Sequence, residues 1–436
     1  MRVVILAAGA AGMYCGSCIR DNRLAATLRA SGRDALLVPL YTPVRTDEID
    51  VSEARIYYGG INVYLQQKFA LFRRLPRLFD RWLDAASLLG RVGRMAARTR
   101  PEELGQLTVS VLRGEHGPQR KELAALLDAL AQLRPALVNL PNLLFLGVAQ
   151  PIRERLNIPV VCTLSGEDIF TDGLPEPHRA QTLQLIHEQS RHVDAFVAVT
   201  RYFADFAADH YRLPVDRVHH VPLGIDVTDF ADAPHAPRAH GARAGAACSI
   251  VYLARVCRAK GLHNLVAALP QIARLGVDAR VRAAGYLSES DRRYLEQIQR
   301  DVRQSGIVGR FEYVGEPSRA EKIALLRSAD IFCVPTEYRE SKGLYVLEAL
   351  ASAAPVVLPQ HGAFIEHVRN TGGGLLYDAT DRDALAATLA QLARDPQQRA
   401  ALGAAGRDAV RQSHTDRIMA ERTWELYEQL VKAPHR

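Results

Sequence analysis

No stretch of the 436-residue chain holds eighteen consecutive apolar residues, so no segment reads as a membrane-spanning helix. The apolar start at residues 3–8 is too short for a signal-peptide core and runs into glycines, which leads us to expect a cytoplasmic protein. Cysteines number only six and are scattered, mostly inside apolar runs, so they read as reduced, buried side chains and not as a disulfide framework. The fourteen histidines show no metal-ligand spacing, and adjacent His219 and His220 face opposite sides of a strand; no metal site is expected. No region is low in complexity, and 48% hydrophobic with 24% charged residues are ordinary globular values. The net charge of +7 is local: residues 65–100 hold nine basic and two acidic side chains, and the remainder is balanced. Nucleic acid is therefore not an expected partner, and any attraction to an anionic surface belongs to that segment.

What is present is a twice-repeated alternation. Short β-branched runs at residues 3–8, 35–40, 137–140, 160–164, 195–200 and 219–223 are separated by helical stretches. A second series follows at 249–253, 279–284, 311–314, 330–335, 355–358 and 374–377. Such alternation predicts α/β architecture with parallel sheets covered by helices, here in two doubly wound domains. Their expected limits are 1–226 and 248–412, joined by a linker at 227–247 that carries Ala-Pro dipeptides and no periodicity. A helix at about 413–436, with an apolar stripe of Trp424, Leu426, Tyr427 and Leu430, packs across a domain surface. The stretch at about 41–120 is too long for a simple crossover and reads as a helical insertion. Its aromatic residues interleave with arginines over 65–100, which suits a hairpin with solvated arginines or peripheral contact with a membrane or anionic acceptor.

The chemistry is concentrated in the second domain. A strand ends at Pro335, and a helix opens near Gly343; Glu340 lies on the loop before it and Glu348 eight residues later. Ligands bind at this edge of open parallel sheets. The N–H groups at Gly343 and Leu344 suit a diphosphate, and the two carboxylates suit sugar and ribose hydroxyls; a nucleotide sugar needs both. Two solvated surface glutamates would explain that pair alone. Arg255 and Lys260, after the first strand of the same domain, add two cations able to stabilise charge on a departing nucleotide.

With these residues the chain resembles the retaining nucleotide-sugar glycosyltransferases of family 4, whose GT-B fold sets two Rossmann-like domains across a cleft. The resemblance also covers the Gly-rich loop near Cys18, the run from Val221 to Asp226, Val314-Gly315, Gly362 to Glu366 and a C-terminal helix that crosses back to the first domain. It implies that the second domain binds the donor and the first the acceptor. Arg255 and Lys260 would hold the diphosphate, Glu340 the donor sugar, Glu348 the ribose, and the backbone at Gly343 and Leu344 the distal phosphate. The base would lie near Gly315 and Glu316, and Gly12 would bring the first domain's loop to the diphosphate. It further implies transfer with retention and no metal or other cofactor, to an acceptor that is a glycan, a lipid or a small metabolite.

The sequence departs from that pattern at Lys342, where an aromatic usually stands, and at Ala353 and Ala363, where glycines are usual. Ser165 stands where many members carry histidine; Ser165, Glu167 and Asp168 are candidates for the acceptor side, with helix capping the other reading of the two acids. Cys15 and Cys18, at a strand-to-helix turn, also suit a thiol–disulfide site. Two further functions fit the same scaffold: a nucleotide-sugar epimerase or phosphorylase, and a binding protein without turnover.

Overall fold

The computed structural model describes residues 1–9, 15–54, 101–231 and 247–433. Gly12, the basic segment 65–100 and linker residues 232–246 lie outside these. The chain divides into two compact units, Met1–Pro222 with Asp416–Arg436, and Leu223–Thr415.

The first unit is built on six parallel strands: β1 (Arg2–Ala7), β2 (Asp34–Pro39), β3 (Leu137–Leu140), β4 (Val160–Thr163), β5 (Ala195–Ala198) and β6 (Val218–His220). Their spatial order is β2-β1-β3-β4-β5-β6. Every residue of β3, β4 and β5 is buried, as a sheet with helices on both faces requires, and this is why these strands read as unbroken apolar runs. One face carries Val4, Leu6, Val138, Leu140, Val160 and Cys162 into a core shared with Leu123, Leu127 and Ile152. The described end of the insertion is the helix Pro101–Leu112. It packs on the helix His178–Ser190 closely enough that a Cβ on Gly105 would come 2.6 Å from that of His178.

The last helix, Asp416–Lys432, belongs to this first unit and packs on the helix Gly16–Ala30. Thr27 Oγ1 donates to Asp416 Oδ2 at 2.9 Å, the Arg33 guanidinium lies 5.3 Å from the Trp424 ring centre, and Tyr427 is buried. The apolar stripe read from the sequence is the packed face.

The second unit holds β7 (Cys248–Leu253), β8 (Ala279–Ala284), β9 (Phe311–Gly315), β10 (Ile331–Cys333), β11 (Val356–Pro359) and β12 (Gly374–Tyr377), again all parallel, in the order β12-β11-β10-β7-β8-β9. All twelve expected strands are present, with ends displaced by up to three residues. The boundary between units differs from the expected one: the chain enters the second unit after Pro222, not Asp226. The reason is local pairing. Ile225 N–H donates to His414 O at 3.0 Å, Leu223 O accepts from His414 Nδ1 at 3.0 Å, and Arg319 binds Asp229 at 2.6 Å. The return likewise falls after Thr415, because the helix Pro396–Ser413 packs within the second unit.

Ala353 adopts φ 55°, the left-handed region in which a Cβ is crowded by the following carbonyl. A glycine there would remove that strain at some cost in unfolded-chain entropy. Ala353→Gly is expected to stabilise the protein by up to about 1 kcal/mol, read as a raised thermal midpoint; an unchanged or lowered midpoint would show that the alanine is not strained.

Candidate active site

In the second unit the chain leaves β7 towards β8 and β9 on one side and returns through β10 on the other. The strand order therefore reverses between β7 and β10. At such a point the loops from the carboxyl ends of the two strands diverge and leave a crevice. The loop after β7 carries Arg255 and Lys260, and the loop after β10 carries Glu340 and Gly343. The two loops touch backbone to backbone. Gly261 adopts φ +72°, and a Cβ there would lie 1.7 Å from Pro335 O; Glu337 N–H donates to Ala259 O at 2.9 Å. Only glycine allows that approach.

Glu340 is 5% exposed, and five donors converge on it. Oε2 accepts from Lys260 Nζ at 2.7 Å, Tyr345 Oη at 2.7 Å and Tyr338 Oη at 3.0 Å. Oε1 accepts from the backbone N–H groups of Ser341 and Lys342 at 3.2 and 3.3 Å. Burial alone would raise the carboxyl's pKa, but the Lys260 charge and the hydrogen bonds from Lys260 and Tyr345 outweigh it and hold Glu340 well below the usual carboxylate range. Lys260 also lies over two aromatic faces, 5.0 Å from the Tyr338 ring centre and 4.8 Å from that of Tyr345.

The helix after this loop, Leu344–Ala351, opens at Gly343 with φ 71°. A Cβ on Gly343 would lie 2.8 Å from His367 Nε2. His367 is buried, which lowers its pKa and keeps it neutral; Nε2–H donates to Lys342 O at 2.6 Å. Gly362, with φ +57°, sits where a Cβ would come 2.6 Å from Glu340 O, and Ala363 N–H donates to that same oxygen at 2.7 Å. Ala363 thus serves through its backbone N–H, a contact that alanine and glycine make alike. The loop 340–343 is held from both sides, with the first-turn N–H groups at Gly343 and Leu344 lacking intrahelical acceptors by position.

Glu348 points elsewhere on the same helix. It is 7% exposed, and Oε1 accepts from Lys322 Nζ at 2.5 Å, with Lys322 also 7% exposed. Gly315 ends β9 with φ +92°, accepts from Gly285 N–H at 2.9 Å and has open space where a Cβ would stand. Arg255 is exposed, with Nε directed at Cys257 Sγ at 3.4 Å, and is not part of the Lys260–Glu340 cluster.

In the first unit, Glu167 ties two loops together. Its Oε1 accepts from Leu143 N–H at 3.1 Å and Ser165 N–H at 2.9 Å, while Ser165 Oγ donates to Pro141 O at 3.0 Å. Glu167 makes no cap bond to the helix Asp168–Asp172 that it precedes, so the capping reading fails for it. Asp168 opens that helix, and burial raises its carboxyl pKa. Cys15 and Cys18 are not joined by a disulfide; a hydrogen bond with Cys15, and then burial, push the Cys18 thiol well up.

Lys322, Tyr338, Tyr345 and His367 were not found from the sequence. For Lys322 a signal existed: it lies three and four residues before buried Leu325 and Leu326 on the helix Arg319–Arg327, on the inward face.

Removing one member of a buried pair leaves the other uncompensated. Lys322→Met is expected to destabilise the protein by about 3–5 kcal/mol, with Lys322→Met/Glu348→Gln recovering part of it, as measured by urea unfolding; equal losses in both variants would deny the coupling. The folded pKa of Glu340 lies below its unfolded value of about 4.3. Its contribution to stability is therefore present above about pH 4.3 and lost as pH falls further. Glu340→Gln should shallow the fall of the thermal midpoint between pH 6 and pH 3, and an unchanged slope would contradict the ionised assignment.

Two family descriptions match the chain, in order: Glycosyltransferase Family 4 over residues 94–229 and Glycosyl transferases group 1 over residues 243–409. Among curated proteins, the GDP-mannose-dependent alpha-(1-6)-phosphatidylinositol monomannoside mannosyltransferase of Mycolicibacterium smegmatis is 28% identical, over 60% of this chain and 68% of its own. The D-inositol 3-phosphate glycosyltransferase of Pseudarthrobacter chlorophenolicus is 30% identical, over 56% of this chain and 58% of its own. The matches span about half to two thirds of the length of these curated relatives. Among solved structures, sucrose-phosphate synthase from Thermosynechococcus elongatus superposes with a TM-score of 0.72 at 18% identity, covering 100% of both chains. Anabaena HepE in complex with UDP gives 0.69 at 16% identity over 99% of this chain and 100% of that one; at such identities these likenesses concern the fold. With both matched segments in sequence order and two parallel six-stranded sheets, the chain belongs to the family 4 glycosyltransferases of GT-B fold.

Proposed function

We propose that the protein transfers a hexosyl group from a nucleoside diphosphate sugar to an acceptor hydroxyl, with retention at the anomeric carbon and without a metal ion. The observation that carries this reading is the Lys260–Glu340 pair, set at the strand-order reversal beside the N-terminus of the helix Leu344–Ala351. Lys260 and Arg255 supply positive charge to the diphosphate, and the N–H groups at Gly343 and Leu344 take its distal phosphate. Glu340 accepts from a donor-sugar hydroxyl, and Glu348, oriented by Lys322, from the ribose; the base lies by Gly315. In the reaction the bond from the anomeric carbon to the diphosphate oxygen breaks and a bond to the acceptor oxygen forms on the same face. The acceptor proton passes to the departing phosphate oxygen, and the two cations stabilise the charge that develops there.

Guanosine diphosphate mannose is the donor to test first, because several relatives carry it in their names. Those names also carry phosphatidylinositol mannoside and inositol 3-phosphate, so a phosphorylated cyclic polyol, free or lipid-linked, is the acceptor class proposed for Ser165, Glu167 and Asp168 to face. None of the helices among the described residues is long and apolar enough to cross a membrane. A lipid-linked acceptor would instead be met at the membrane surface, where the basic segment 65–100 suits anionic lipid.

A donor that binds only the folded protein raises its thermal midpoint by mass action. GDP-mannose is expected to do so without added divalent metal, and a response to UDP-glucose alone would reassign the donor. Lys260→Ala is expected to lower transfer by about 10²–10³-fold with an unchanged circular dichroism spectrum. A folded Lys260→Ala protein working at the parental rate would sink the role given to that residue.

A further inference from the structure

We infer that Tyr338 and Tyr345 are positioning residues for Glu340: their hydroxyls keep its carboxylate ionised and aimed when Lys260 turns to the donor diphosphate. The inference rests on the roles given above to Glu340 and Lys260. In the structure one ammonium group serves one carboxylate, Lys260 Nζ to Glu340 Oε2 at 2.7 Å. A bound diphosphate brings further negative charge to the same crevice and competes for that ammonium. If Lys260 shifts towards it, Glu340 loses its nearest counter-charge while staying buried, and a buried carboxylate without compensation takes up a proton.

The two tyrosines are placed to prevent this. Both hydroxyls donate to the same Oε2 that Lys260 uses, at 2.7 Å from Tyr345 and 3.0 Å from Tyr338. Burial, and next the Glu340 charge, hold both phenols well above their ordinary pKa, so they remain protonated donors. Their rings lie 4.8 and 5.0 Å from Lys260 Nζ, a pair of π faces along which the cation can shift without losing contact. The other groups bearing on Glu340 are the N–H groups of Ser341 and Lys342 on Oε1, the charge of Lys342, and His361 and His367, which burial keeps neutral. Of these, none donates to Oε2. The hydroxyls are thus the donors that remain on the oxygen Lys260 would vacate.

The test is kinetic. Tyr345→Phe, Tyr338→Phe and the double variant keep both rings and remove the hydroxyls. Transfer is measured across pH 4–9 with kcat and the donor KM separated, alongside Glu340→Gln. Each single variant is expected to lower kcat by about tenfold, the rate equivalent of one hydrogen bond to a charged group. The donor KM should change little, and the acid limb of kcat should move to higher pH, furthest in the double variant. Lys260→Arg should not move that limb upward, because it keeps the positive charge and both hydroxyls. If Glu340→Gln is inactive while the tyrosine variants keep the parental kcat and acid limb, the inference is overturned and the reading of Glu340 stands. An active Glu340→Gln enzyme overturns that reading itself. A variant with lowered thermal midpoint but parental kcat and acid limb would show a merely structural role; should the double variant not fold, the single ones decide.

Discussion

The second unit is organised around a buried negative charge. Taking a carboxylate out of water costs several kcal/mol unless it is matched by donors and counter-charge, and Glu340 is matched by five donors drawn from two loops and the helix that follows the second. That demand explains the surrounding backbone. The loops after β7 and β10 must meet, so Gly261 lies against Pro335 O. The segment 340–343 must turn sharply, so Gly343 takes a left-handed conformation against His367, and Gly362 leaves room for the Glu340 peptide. The glycines follow from the charge and its geometry.

The candidate-site glutamates of the two units are held in contrasting ways. In the first, Glu167 spends its carboxylate on backbone N–H groups and binds the loop after β3 to that after β4, a neutral-donor arrangement suited to holding shape. In the second, Glu340 and Glu348 each hold a lysine, Lys260 and Lys322. A lysine is a compact charge on a flexible stem and can change partners.

The family's usual glycines are replaced in two ways that the structure separates. At Ala363 the side chain is fully buried and the backbone N–H makes the contact that matters, so the methyl group is accommodated. At Ala353 the residue keeps a positive φ, so the fold retains a glycine's conformation without the glycine. The same substitution is harmless in one place and strained in the other, and only φ distinguishes them.

The strand pattern, the two parallel sheets and the placing of Arg255, Lys260 and Glu340 on loops beyond β7 and β10 were legible in the amino-acid sequence. Parallel strands buried on both faces demand unbroken apolar runs, and charged residues just beyond such runs fall at the sheet edge. Partner identity was not legible. Glu340 with Lys260, 80 residues apart, and Glu348 with Lys322, 26 apart, become pairs only when the order β10-β7-β8-β9 sets their loops and helices side by side. The passage into the second unit at Leu223 was hidden for the same reason, since it depends on Ile225 meeting His414 from the far end of the chain. Periodicity and local spacing are properties of neighbouring residues and are written along the chain; a buried charge finds its counter-charge through space, and tertiary structure alone decides which one it finds.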